Sequence, residues 1–278
     1  FQDDSKLETI SKFAFCKCSL PCIFIPDGVN YIGENAFYEC SNLKNVDFSE
    51  KSKLDIISEC LFSNSAIEYV FIPPCIKTIQ KQAFSDCQSL KKIEFSENTK
   101  LIKICKEAFA NSSLEEIKIP DSVIKIGKCV FSNCQNLKKV EFTEYSELTT
   151  IKEKTFFRSN IEEILIPPNV TCINNSAFCK CQNLKRIQFA GDSKLNLIDK
   201  NAFIETSFEF ISIPQKVKTI GQRAFYKSKV EKVEFPDDSM LTSILGEAFA
   251  SSALKHINIP DTFVYVRAFS APSIKIFM

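Results

Sequence analysis

The sequence predicts a repeat solenoid, mainly β with short 3₁₀ turns, carrying a parallel sheet along one face. Three observations predict it. The stretch LEEIKIPDSVIKIGKCVFSNCQNL (114–137) has the anchors Leu114, Ile117, Ile119, Pro120, Val123, Ile126, Val130, Phe131 and Cys134. The same skeleton recurs 47 residues earlier, from Ile67 to Cys87, and 47 later, from Ile161 to Cys181. A sister unit such as LKKIEFSENTKLIKICKEAFANSS (90–113) lies between copies, with Phe for Ile and one extra residue before the next apolar anchor. Finally, twelve anchor phenylalanines (Phe15, Phe37, Phe62, Phe84, Phe109, Phe131, Phe156, Phe178, Phe203, Phe225, Phe249 and Phe269) are spaced alternately 22 and 25 apart as far as Phe225. A fixed period of this kind marks stacked units, none of which buries its apolar face alone.

Each unit opens with a short strand. In LKKVEF (137–142) alternation turns Val140 and Phe142 inward and Lys139 and Glu141 outward. Pro26, Pro73, Pro120, Pro167 and Pro214 then end half of these strands, because proline has no N–H to give to a ladder. The sister units use polar turns such as SEKS and GDSK. A second apolar pair follows, as in Val123 and Ile126, and reads as a short second strand on the opposite face. The polar trio and the Ala-Phe pair after it fit one tight helical turn. Gly33, Gly127 and Gly221 precede that turn, where a positive φ would suit them. Anchor and strand phenylalanines together make eighteen of the 26, so the aromatic content is expected in the core, with the anchors stacked as a spine.

One solenoid of about twelve repeats is therefore expected over residues 1–278, with an irregular end from 260 to 278 in which Phe263, Val266, Ala268 and Phe269 form a contracted unit and SIKIFM a last strand. FQDDSKL at the start aligns with FSEKSKL at 48–54, so the chain is read as opening mid-repeat, with any targeting segment upstream.

Composition bounds the function. Basic residues number 35 against 34 acidic, a net charge of +1 that argues against bare nucleic acid as a partner. No apolar run approaches the ~20 residues that span a bilayer, so no membrane insertion is expected within these residues. Thirteen cysteines accompany a single histidine. Cys18, Cys40, Cys87, Cys134 and Cys181 sit three residues after an anchor Phe, where other units have Ser65, Ser112, Ser159, Thr206, Ser228 and Ser252. A site shared by Cys, Ser and Thr calls for a small, partly polar side chain, so reduced buried thiols are expected rather than a disulfide framework. The CKC pairs at 16–18 and 179–181 fall short of the four convergent ligands of structural zinc, and no metal or cofactor is expected.

The pattern L-x-x-I-x-[FI]-P-x-x-V-x-x-I-G-x-x-A-F-x-x-C-x-x-L resembles the BspA-like leucine-rich repeats, found in surface proteins of anaerobic bacteria and single-celled parasites. The resemblance covers the whole chain. It implies a right-handed, curved leucine-rich-repeat solenoid with its parallel sheet on the concave face, non-enzymatic and often used in adhesion to host cells or extracellular matrix.

Catalysis has no centre in this sequence. His256 falls at an outward strand position, Ser and Asp fall at repeat turns, and there is no Gly-rich phosphate loop. No enzyme is expected. Outward strand positions say more: Lys91-Lys92, Glu115-Glu116, Lys138-Lys139, Glu162-Glu163 and Lys185-Arg186 alternate in sign strand by strand, which favours correct register. Phe24, Tyr69, Phe71, Leu165 and Phe210 break that pattern and are candidates for a protein-contact surface, with Phe24, Tyr69 and Phe71 forming one patch around Asn45 and Asp47. Two functions follow: a cell-surface or secreted adhesin that binds a host-cell or matrix protein through the sheet, or a cytoplasmic scaffold with a cytosolic protein partner. The N-x-S/T matches at Asn111, Asn169 and Asn174 do not decide export.

Overall fold

A computed structural model describes residues 5–260, 265–266 and 275–277. The chain divides into two compact units, 1–137 and 138–278, each a stack of β-coils. Among the described residues there is no helix. Phe1, Phe263, Ala268, Phe269 and Ile274 lie outside them.

Every coil has the same plan. Its longer strand is the sequence-predicted one, and in the first unit these strands are Cys22–Ile25, Asn45–Phe48, Tyr69–Ile72, Lys92–Phe95 and Glu116–Lys118, adjacent and parallel in that order. In the second unit Lys139–Glu141, Glu163–Ile166 and Arg186–Phe189 form one parallel run. The strands Phe210–Ser212 and Lys232–Glu234 pair separately, as do His256–Asn258 and Lys275–Phe277, the last being the terminal strand expected from SIKIFM. A two-residue strand closes the other side of each coil and pairs with the corresponding one in a neighbouring coil, as in Ile57↔Ile79 and Ile173↔Ile198.

The anchor phenylalanines form the expected spine. In the first unit the rings from Phe15 to Phe131 follow one another at 5.3–5.7 Å with interplanar angles of 5–21°. In the second, Phe156 to Phe249 are spaced 5.0–5.3 Å. These are offset-stacked separations, favourable for the ring quadrupole. All of them except the half-buried Phe15 are completely buried. The strand phenylalanines differ from expectation: Phe142 is buried, but Phe48, Phe95, Phe189 and Phe235 are only half-buried. The Ile that ends the sister strand (Ile25, Ile72, Ile166) fills that place fully, whereas an edge of the larger ring stays in contact with water.

The Ala-Phe turn has the tight spacing expected, interrupted by left-handed residues. Its hydrogen bonds do have i→i+3 spacing: Ala14, Cys16 and Cys18 donate to the carbonyls of Ser11, Phe13 and Phe15. Between them the residues two before and two after each anchor adopt positive φ, as with Phe13 and Lys17, Asn35 and Glu39, or Cys60 and Asn64. This happens in all eleven described turns, and the left-handed residues turn their N–H groups along the stack. Phe13, Phe15 and Lys17 thus donate to Glu34, Ala36 and Tyr38 of the next coil. In the short strand the flanking N–H groups of Asn30 and Gly33 point the other way, to Glu8 and Ile10 of the preceding coil.

Gly33, Gly127 and Gly221 do not have positive φ, contrary to expectation. In these coils glycine instead makes room for a close approach of backbone. A Cβ on Gly127 would stand 2.4 Å from the backbone nitrogen of Lys106 in the coil below, and Gly33 and Gly221 meet Lys12 and Lys200 at 2.4 and 2.5 Å.

At the shared Cys/Ser/Thr position most side chains donate to an anchor carbonyl, of their own coil or the preceding one. Ser159, Thr206, Ser228 and Ser252 donate to the carbonyl of their own coil's anchor Phe at 2.7–2.9 Å. The longer-bonded thiols of Cys87, Cys134 and Cys181 instead reach the anchor carbonyl of the preceding coil at 2.9–3.1 Å. Burial pushes the Cys87 and Cys134 thiols up to about 11 and Cys181 up to about 12. Since an unfolded thiol titrates near ~8.5, their contribution is fully present below that pH and lost as pH rises towards the folded values. The urea midpoint is therefore expected to fall between pH 8 and pH 10 in the wild type, and to fall less in a variant with all three cysteines replaced by Ser. Equal declines would show that these thiols do not couple folding to pH.

Candidate functional site

The outward side of the long strands in the first unit is a grid of two side chains per strand. Register places Cys22 beside Asn45, Asn45 beside Tyr69, Tyr69 beside Lys92, and Lys92 beside Glu116. In the second row Phe24 stands beside Asp47, and Phe71 beside Glu94. Parallel strands lie ~4.8 Å apart, so Phe24 and Phe71, two strands apart, are within about 10 Å of each other. The structure thus brings Phe24, Asn45, Asp47, Tyr69 and Phe71 together on three adjacent strands.

Their exposure differs. Tyr69 is 40% exposed and Phe71 44%, whereas Phe24 is half-buried. Asn45 and Asp47 are exposed. Tyr69 is held in place: its hydroxyl donates to the Glu94 carboxylate at 2.7 Å, and Glu94 also takes a 2.5 Å ion pair from Lys92. Partial burial and that hydrogen bond push the Tyr69 phenol up to about 12. Hydrogen bonds from Lys92 and from Tyr69 hold the Glu94 carboxyl below its ordinary value. Tyr69 is thus a fixed aromatic plate that loses little freedom on being covered.

The charged rows pair with one another. Lys44 reaches Glu68 of the next coil at 3.1 Å, and Lys139 and Lys232 meet Glu141 and Glu234 on their own strands. In register Lys139 stands beside Glu163, and Glu163 beside Arg186. These pairs are largely exposed, so each is worth only about 0.2–1 kcal/mol, and they leave little net field for a charged ligand.

The other two candidates lie in the second unit. Leu165 is half-buried and stands beside Gln188, while Phe210 is 48% exposed with Lys232 above its ring at 5.8 Å. Between them the ladder stops: Arg186–Phe189 and Phe210–Ser212 belong to different sheets. An open groove of 420 Å³ lies there, lined by Gln188, Asp192, Phe210, Ser212, Gln215 and Lys216 among others. Sequence reasoning missed it. Beneath this region Phe208 takes the place that Leu184, Val230 and Leu254 hold in neighbouring coils and meets the Phe203 and Phe225 rings edge-on.

The remaining candidates have structural surroundings. His256 is exposed on its strand beside Lys275. The amide nitrogens of Asn111 and Asn169 are already donors, to Asp86 and to the Ser146 carbonyl. Among the described residues no group of three His, Cys, Asp or Glu side chains is placed to hold a metal, and no helix is long and apolar enough to cross a membrane.

The family description "BspA type Leucine rich repeat region" matches in six copies over residues 8–138, 102–207 and 196–275. No curated protein sequence matches the chain. Among solved structures, a leucine-rich repeat protein from Bacteroides ovatus superposes with a TM-score of 0.81 at 23% identity, over 98% of this chain and 70% of that one. A leucine rich cell surface protein from Faecalibacterium prausnitzii gives 0.56 at 25% identity, over 92% and 72%. The pneumococcal vaccine antigen PcpA gives 0.56 at 24% identity, over 92% and 73%.

Proposed function

The chain belongs to the BspA-type leucine-rich repeat family, and from that premise we propose that it is a surface or secreted adhesin that binds a host-cell or matrix protein through its outward sheet face. Stacked repeats of this kind typically serve as non-enzymatic scaffolds that present extended binding surfaces. The observation that carries the reading is the pair Tyr69 and Phe71, exposed side by side on one strand with Phe24 two strands away. Aromatic side chains fixed on a rigid sheet are the residue type that dominates binding energy at protein interfaces. Similarity to a cell surface protein of Faecalibacterium prausnitzii supports the location. In the second unit, Leu165 and Phe210 offer a lesser contact.

Replacing Phe24, Tyr69 and Phe71 together by Ser should weaken binding to a panel of immobilised matrix proteins and fixed host cells at least about tenfold. Leu165→Ser with Phe210→Ser should have a smaller effect. Unchanged affinity of the triple variant would sink the assignment of the patch.

The cysteines favour a second reading, an intracellular scaffold that uses the same face. All thirteen are free thiols, the usual state in a reducing compartment. Labelling intact source cells with a membrane-impermeant amine reagent separates the two. Modification of this protein while a cytosolic control stays unlabelled selects the adhesin, and labelling only after lysis selects the scaffold.

A further inference from the structure

Of the thirteen cysteines, Cys18 and Cys40 alone occupy the same position in consecutive coils. Elsewhere in the first unit the row alternates, with Ser65, Cys87, Ser112 and Cys134 following Cys40, so no other two thiols are stacked there. In the second unit Cys181 lies between Ser159 and Thr206. Geometry at the alternating steps shows what stacking does: Ser65 Oγ lies 3.5 Å from Cys87 Sγ, and the pairs Ser112–Cys134 and Ser159–Cys181 repeat the distance.

At the first step both members are sulfur. Cys40 Sγ donates to the Phe15 carbonyl at 3.0 Å, the same oxygen that accepts the Cys18 N–H at 3.1 Å, so the Cys40 thiol rests over the Cys18 backbone. Hydrogen bonds from Phe15 to Ala36 and from Lys17 to Tyr38, both 2.8 Å, hold the two turns at one coil's pitch, and the Phe15 and Phe37 rings are 5.3 Å apart. That pitch falls within the Cα separations of about 4.4–6.8 Å that a disulfide bridges. Access is graded as well: Cys18 is half-buried and Cys40 buried, giving one thiol that meets an oxidant and one that resolves the product.

We propose that Cys18 and Cys40 are a redox site that forms a reversible disulfide stapling the first two Phe-anchored coils. The oxidant is a low-molecular-weight disulfide of the glutathione class. The Cys18 thiolate attacks one sulfur of oxidised glutathione, the S–S bond breaks, and one glutathione leaves as thiolate with the bonding pair. The Cys40 thiolate then attacks Cys18 Sγ and expels the second glutathione. Two cysteine thiols are oxidised, one glutathione disulfide is reduced, and the two cysteine protons end on the two released glutathione thiols. The closed loop restricts the unfolded chain, so oxidation stabilises these coils. Cys16 is the competing thiol, but it stands one residue after the anchor, where the next coil has Tyr38.

The test equilibrates the folded chain in glutathione redox buffers, blocks free thiols and maps disulfide-linked peptides. A Cys18–Cys40 link with the loss of two hydrogens is expected, at a buffer at least about tenfold more reducing than oxidises the same chain in urea. Cys18→Ser and Cys40→Ser should each abolish it while keeping the reduced wild-type melting temperature, because serine already occupies this position in other coils. Cys87→Ser should leave the link intact. Proteolysis within the first coils should slow at least about tenfold on oxidation. A link through Cys16, a scrambled map, or no preference of the folded over the urea-unfolded chain would overturn the proposal.

Discussion

Phe109→Ala lowers the stability of the 1–137 unit by about 3–5 kcal/mol, the range for deleting a fully buried aromatic ring. The ring is stacked between Phe84 at 5.5 Å and Phe131 at 5.7 Å and has no exposed surface. Its loss opens a void that rigid coils on either side cannot close, because inter-coil hydrogen bonds fix their pitch. Stability in a repeat array is a sum of coil and interface terms, so the damage should be local. Native-state hydrogen exchange is the suitable measurement. Amides between Gln80 and Cys134 are expected to lose protection, and those of the 138–260 coils to keep theirs. A loss below about 1 kcal/mol would mean that the spine is not what holds the coils together.

Gly127→Ala adds one methyl group and is expected to cost about 3 kcal/mol or more, at the upper end of overpacking. The added carbon would stand 2.4 Å from Lys106 N and 2.6 Å from Cys105 C, both backbone atoms that no rotamer change can move aside. Gly191 is the internal control, since a Cβ there meets nothing within 4 Å. Gly191→Ala should stay within about 0.5 kcal/mol of wild type. Urea titration of both variants checks the pair. If the two behave alike, the close approach of coils at Gly127 is not what selects glycine.

The architecture was legible because the same physical demand recurs in every coil. An inward residue such as Ile117 or Ile164 must be apolar, and an anchor such as Phe131 must fill the same space each time, so period alone exposes them. The patch residues Tyr69 and Phe71 were legible by the complementary argument, as apolar side chains where neighbouring coils place Lys or Glu. Other features had no such signal. The left-handed turn positions hold Phe13, Gln82, Glu107 and Arg223, types that seldom adopt positive φ. Hydrogen bonds to the next coil overrule their intrinsic preference, and those bonds exist only once coils stack. The role of Gly127 was misread for the same reason: its constraint comes from Lys106 and Cys105 in the coil below, not from its own dihedral angles. The break beside Phe210 leaves no mark in the period, which treats Phe208 as one more apolar anchor.

The opposed directions of the inter-coil hydrogen bonds have a consequence for how such arrays grow. In an α-helix every peptide dipole points the same way, so the two ends carry opposite partial charges of about half a unit. Here the N–H groups of the Ala-Phe turns, such as Phe15 and Lys17, point to the following coil, while Asn30 and Gly33 of the short strand point to the preceding one. The two arcs of a coil set their peptide dipoles against each other, and the stack builds no comparable charge separation. Another coil can therefore be inserted or lost without enlarging a one-way dipole along the stack. Tandem duplication of a 47-residue pair meets only the packing conditions that every existing coil already satisfies.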